Sequence, residues 1–385
     1  MLLSHNRSIR RRGLSIAPDL AIAPPAVPPP LQAPVYRFDR TFEQNAAAGP
    51  NFSGPYADVP ATPMKNFLGY QVASRIGIAA SLVLNERWFE HYSRLGFDLL
   101  TYKTIRSRER RAHPLPNWLY LDEKSAAVGA AAPLRVIGDI PPAPLSATAA
   151  GSIGMPSSSP EVWRRDIRSC RARLMPGQVL IVSVVGTSDQ NTSESEFISD
   201  FSALTAEARD AGAQVVELNF SCPNVGRRES EVYRDVELAA RIAGAARAEA
   251  GSTPLLVKTG PIEDRERMSG LLRGLSGLVD GVVMINAPSR VIVDGSGSPA
   301  FGKNREHAGM MGGVTFDIAM KCVHDALEVV HQDALALHVL AVGGVSSPER
   351  VSAFFDAGAY AVLAASACAW DPYLAIRAKH HDPML

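Results

Sequence analysis

The chain has 385 residues, with 39 Lys+Arg against 39 Asp+Glu, and this neutral balance argues against nucleic acid or an anionic membrane as main partner. At 46 % hydrophobic and 20 % charged it can bury a large core, and its length fits two or three domains or one long α/β barrel. No apolar run approaches the ~18–20 residues that cross a bilayer, and Cys170, Cys222, Cys322 and Cys368 include no C-x-x-C pair, so neither a disulfide scaffold nor a metal site is expected.

Residues 1–35 read as an Arg/Pro-rich tail. Arg7, Arg10, Arg11 and Arg12 come before any acid, and the run APDLAIAPPAVPPPLQAP follows. Such a stretch is extended and solvated; an organelle-targeting peptide is the other reading. From about residue 60 short apolar runs appear: IGIAA (76–80), DLLTY (98–102), VLIVSVV (179–185), VVELN (215–219), PLLVK (254–258), GVVMIN (281–286), HVLAVG (338–343) and AVLAA (361–365). They lack polar alternation, as strands buried on both faces do. Segments of helical period separate most of them, and three of these, EFISDFSALTAEARDAG, DVELAARIAGAARAEAG and PERVSAFFDAG, end in the glycine that suits a helix C-terminus. Eight such repeats predict an α/β fold, a (β/α)8 TIM barrel, over residues 36–385. No G-x-G-x-x-G follows the first strand, which disfavours a dinucleotide fold. Residues 117–156 are long for one connection and predict an insertion, of hairpin type, over the barrel mouth.

Barrel enzymes work at the C-terminal ends of their strands. The fourth strand ends VELNFSCPNVG, placing Asn219, Ser221, Cys222 and Asn224 within six residues. Cys170, Cys322 and Cys368 read as small buried hydrophobes. Cys222 lies past a strand end among amides, and a well-aimed thiol of pKa near ~8.5 can accept a proton. Lys103 and Lys258 end two other strands. Cations there suit an electron-rich ring or a phosphate, although a Schiff-base lyase would also place a lysine so. Gly343 and Gly344 after the seventh strand, with Ala365 and Ser366 after the eighth, are small-residue turns where barrels cradle phosphate.

ELNFSCPN resembles the signature of the dihydroorotate dehydrogenase family and of the pyrimidine-binding part of dihydropyrimidine dehydrogenase. IGIAAS, YKTIRSRERRAHPLPN, SVVG, VKTG, INAPS, MMGG, VGGVSSPE and AASAC follow in family order over roughly residues 40–380. The resemblance implies an FMN-dependent CH–CH oxidoreductase acting on dihydroorotate or a related cyclic, polar substrate. The flavin would lie on Ala79, Ala80 and Ser81, with Lys103, Asn219 and Lys258 at its ring. Gly343, Gly344, Ala365 and Ser366 would hold its phosphate, with Gly312 and Gly313 nearby. Ser152, Gly154, Met155, Asn224, Asn286 and Ala287 would join Lys103 and Asn219 around the substrate. Cys222 would be the base taking a proton from one carbon while a hydride leaves its neighbour for the flavin. A cysteine there resembles the soluble, cytoplasmic branch, with a soluble electron acceptor or a partner subunit and no membrane partner. Family members often form homodimers.

Two positions depart from the family pattern. Gly151 stands where the family's N-S-x-G-x-P-N begins with Asn, and Ala287 where a hydroxyl residue follows Asn286. Each lost polar partner costs ~1–3 kcal/mol, together roughly 30- to 10⁴-fold for an orotate-like ligand. Two alternatives stay open: an FMN-binding paralogue with changed or lost activity, and a flavin-free phosphate-binding barrel lyase.

Overall fold

The computed structural model describes residues 27–123, 132–221, 229 and 231–385. The proline-rich stretch beyond residue 26 does not stay outside the body. The Leu31 and Val35 amides each donate at 2.7 Å to the carbonyls of Trp370 and Ala369, and Val35 and Tyr36 are buried. The body therefore begins before residue 35. The reason is that Leu31, Val35 and Tyr36 supply apolar surface within a sequence otherwise dominated by Pro and Ala.

A short antiparallel hairpin comes next, β1 (Lys65–Phe67) and β2 (Tyr70–Val72). The following strands are β3 (Ile76–Ile78), β4 (Leu99–Ile105), β5 (Trp118–Tyr120), β6 (Leu134–Arg135) and β7 (Thr148–Gly151). Then come β8 (Val179–Val184), β9 (Val215–Asn219), β10 (Leu255–Lys258), β11 (Gly281–Met284) and β12 (Ser289–Val293). The last three are β13 (His307–Gly312), β14 (His338–Val342) and β15 (Ala361–Ala364). Eight of them close into a parallel barrel in the order β3-β4-β8-β9-β10-β11-β14-β15. Each falls on one of the eight apolar runs, so the expected (β/α)8 architecture is the observed one.

Strand periodicity of two divides the side chains between two environments. Leu99, Val179, Ile181, Val215, Leu256, Val283, Leu340 and Leu363 pack together in the lumen. Leu100, Leu180, Val182, Val216, Leu218 and Val282 face outward into the helix layer. Both sets are excluded from water, which is why the runs carry no polar alternation. The lumen leaves no spare room at Gly77, where a Cβ would come within 2.4 Å of the Leu99 carbonyl oxygen. Phe67 and Val72 of the hairpin join the lumen cluster and close the end where the strands begin.

The helices start and stop where their chemistry requires. Ser193 caps Glu194–Ala211 in a reciprocal capping box with Glu196, and Gly212 ends it in the left-handed region at φ 116°. Pro160 and Pro348 open two other helices at positions needing no amide donor.

The segment 117–156 forms more than a hairpin. β5, β6 and β7 join β12 and β13 in a five-stranded sheet of order β5-β7-β13-β12-β6. The connection after β11 thus supplies two of its strands. Leu121, Leu134, Ala150, Ile292, Phe301, Ala308 and Met310 give this sheet a core of its own.

Candidate active site

A cavity of about 1380 Å³, its open mouth included, lies between the C-terminal ends of the barrel strands and this sheet. Ala79, Ala80 and Ser81 reach it from beyond β3, Lys103 from β4 and Met155 from beyond β7. Asn219 and Lys258 come from the last positions of β9 and β10, which lie side by side in register. Asn286 and Ala287 follow β11; Gly312 ends β13; Gly343 and Gly344 follow β14; Ala365 and Ser366 follow β15.

Three expected residues fall outside this wall. Gly154 turns toward His113, whose ring would lie 2.6 Å from a Cβ there. Ser152 Oγ sits 3.4 Å from His113 Nδ1. Gly313 is pressed against the Ser146 carbonyl, 2.2 Å from where a Cβ would stand. Sheet pairing of β7 with β5 and β13 turns these residues away, a constraint that motif spacing does not carry. Cys222 and Asn224 lie outside the described residues.

The polar groups are held in place. Asn219 Nδ2 donates to Thr104 Oγ1 at 3.3 Å, and its Oδ1 accepts the Ser221 amide at 3.2 Å. Asn286 receives its own neighbour's amide, from Ala287 at 2.8 Å, and its Nδ2 donates to the Ser221 carbonyl. Two asparagines thus fix Ser221, the residue just before Cys222. Lys258 is 5 % exposed and has no ion-pair partner among the described residues. A buried cation of this kind calls for an electron-rich or anionic ligand.

Arg350, which motif reading passes over, organises the turn after β14. Its Nη1 donates to the Gly344 carbonyl at 2.7 Å, and to Ser346 Oγ at 3.3 Å, with the guanidinium over the Phe316 ring. Gly344 has φ 63°, and a Cβ there would lie 2.6 Å from the Phe316 amide nitrogen, so glycine is required. The other thiols take no part: Cys170, Cys322 and Cys368 are buried, and burial pushes each of them up. Sequence reasoning also missed the apolar side of the cavity, made by Tyr36, Phe42, Trp118, Leu145 and Met311. Met311 belongs to MMGG, where only the glycines carry a signal, and the other four lie in no motif.

A closed parallel barrel with two lysines, two asparagines and two small-residue turns around one cavity has the arrangement of a (β/α)8 protein with a site suited to an anionic ligand at its strand ends. The dihydroorotate dehydrogenase family model matches residues 64–379. Dihydroorotate dehydrogenase of Dictyostelium discoideum is 33 % identical over 363 residues, which is 90 % of this chain and 97 % of that protein. A dihydroorotate dehydrogenase B (NAD(+)) catalytic subunit of Methanocella arvoryzae is 32 % identical over 217 residues, 56 % of this chain and 64 % of that one. The solved structure of Eimeria tenella dihydroorotate dehydrogenase with ferulenol superposes with a TM-score of 0.67 at 19 % identity, covering 88 % of each chain, and shares the fold. The chain belongs to the dihydroorotate dehydrogenase family. It is accordingly an FMN-dependent oxidoreductase acting on a CH–CH bond. The donor set fits that cofactor: a buried cation at Lys258 with no ion-pair partner among the described residues, for the ring, and turns at 343–344 and 365–366 small enough to approach a phosphate closely. The flavin-free lyase is thereby set aside. Among the described residues no helix is long and apolar enough to cross a membrane.

Proposed function

We propose that this chain converts dihydroorotate, or a close cyclic relative, to its unsaturated product. The observation that carries the reading is the meeting of Lys103, Asn219, Lys258 and Asn286 with both small-residue turns around one cavity. When bound, FMN supplies the two-electron acceptor. Lys258 would lie at its electron-rich edge, Ala79, Ala80 and Ser81 beneath it, and Gly343, Gly344, Ala365 and Ser366 around its phosphate. Lys103, Asn219, Asn224 and Asn286 would hold the polar rim of the substrate ring. Forming a carbon–carbon double bond requires a proton to leave one carbon, and Cys222 is the base for it. Electrons then pass to a soluble oxidant or a partner subunit. The test is anaerobic mixing of the yellow holoenzyme with dihydroorotate. Bleaching is expected, slowed at least 100-fold in Cys222→Ala; equal rates in both would remove Cys222 from the mechanism.

One observation favours a second reading, a shifted substrate preference. A side chain starting at Gly151 would meet the Met311 methyl at 2.9 Å, so a thioether fills the place an amide would take. With Ala287 also lining the cavity, part of its wall is apolar. On this reading dihydroorotate bleaches the flavin poorly, and a dihydropyrimidine or cyclic imide with a less polar edge does so faster. Full turnover with dihydroorotate at micromolar concentration would refute it.

A further inference from the structure

Glu217 is the only Asp or Glu in the eight barrel strands. Its neighbours Val216 and Leu218 face the helix layer, while Val215 packs in the lumen. The alternation therefore turns Glu217 inward, one lumen position below Asn219 of the cavity wall. It is 1 % exposed, and neither carboxylate oxygen has a hydrogen-bond partner among the described residues. The residues paired with it on either side offer none. Leu256 on β10 is apolar, and on β8 the Ser183 hydroxyl is already 3.0 Å from Thr104 Oγ1. Lys258 stands two residues beyond Leu256 on the same inward face, which puts its Cα about 8 Å from that of Glu217. Lys103 lies two strands away, on β4, with β8 between.

A buried carboxyl without partners costs stability. Apolar side chains fill the neighbouring lumen positions at Val215, Ile181 and Leu256, so packing does not call for an acid here. What an acid supplies at this depth is a negative potential, weakly screened because water is excluded. That potential falls on Lys258, which is itself buried and has no ion-pair partner among the described residues. The two charges pull in opposite directions: the lysine favours an electron-rich, reduced ring and the carboxylate disfavours it. We propose that Glu217 is a positioning residue for the flavin site. Its charge, kept at a cost in stability, offsets that of Lys258 and sets how readily the bound ring accepts electrons. This rests on the reading of Lys258 at the ring.

The experiment uses full-length holoenzyme and the variants Glu217→Gln, Glu217→Leu, Glu217→Asp and Lys258→Met. Reduction potentials are measured at pH 7 against a reference dye, and melting temperatures with FMN in excess. Glu217→Gln and Glu217→Leu should each shift the equilibrium toward reduced flavin at least threefold, about 14 mV. Glu217→Asp keeps the charge and should stay within threefold of wild type. Glu217→Leu should melt higher by roughly 1–4 °C, because an unpaired carboxyl leaves the lumen. A shift below threefold, or toward oxidised flavin, in the Gln and Leu variants overturns the proposal. An equal shift in Glu217→Asp also does, since shape and not charge would then be responsible. So does a lower melting temperature in Glu217→Leu, or loss of FMN from both variants, either of which would make Glu217 a structural residue. An unchanged potential in Lys258→Met would refute the placement of that lysine and this proposal together. A fall there, with no shift at Glu217, would remove this proposal alone.

Discussion

Replacing Lys258 by Met should lower the reduction potential of bound FMN. The lysine ends β10, is 5 % exposed, and lacks an ion-pair partner among the described residues. Its charge therefore acts on whatever occupies the cavity. At an effective dielectric of about 20, a unit charge 4 Å away contributes about 4 kcal/mol as an upper figure. A charge-assisted hydrogen bond contributes about 1.5–3 kcal/mol net. That energy favours the electron-rich, reduced ring over the oxidised one. For a two-electron couple about 1.4 kcal/mol corresponds to 30 mV, so the potential should fall by about 30–65 mV. Reduction at pH 7 with a reference dye in equilibrium measures it, and Lys258→Arg should retain most of the wild-type value. An unchanged or more positive potential in Lys258→Met would refute the placement of Lys258 at the ring.

Gly344→Ala should weaken FMN binding by roughly 5- to 30-fold, because a left-handed alanine costs about 1–2 kcal/mol and its Cβ would press on the Phe316 amide; fluorescence titration of the apoprotein reads this. Lys379→Met should cost about 3–5 kcal/mol by stranding Asp98, whose carboxylate lies 2.7 Å from the lysine and is itself buried. At about 2.1 cal/mol/K per residue the melting temperature should fall about 4–7 °C, and adding Asp98→Asn should recover most of it. Burial pushes His91 down to about 3, so the unfolded chain takes up a proton below pH 6.5 that the folded chain refuses. Stability should therefore fall by about 1.4 kcal/mol per pH unit from 6.5 toward 3 on this account. His91→Phe, set among Phe52 and Tyr92, should flatten that part of a denaturant-midpoint profile against pH.

The barrel was legible because its strands are buried on both faces. A run such as VLIVSVV has no solvated side to blur the signal, and all eight runs became strands. Site residues at strand ends were legible for a related reason: Asn219 and Lys258 are polar residues that interrupt apolar runs. What stayed hidden depends on contacts distant in sequence. Nothing in RSRERR distinguishes the fully buried Arg106 from the exposed Arg108, since only the arrival of Glu229 decides which arginine goes inside. The pairing of β7 with β13 spans more than 150 residues, and it decides that Gly151 faces the cavity while Ser152 and Gly154 do not. Val35 reads as tail in the sequence because the prolines before it outweigh the few apolar residues beside it.

The stopper formed by Phe67 and Val72 has a kinetic consequence. With the lumen behind the cavity filled by side chains, a small oxidant that enters the cavity shares the doorway through which the first product departs. Turnover then alternates in double-displacement fashion, and initial-rate plots at several fixed oxidant concentrations should run parallel.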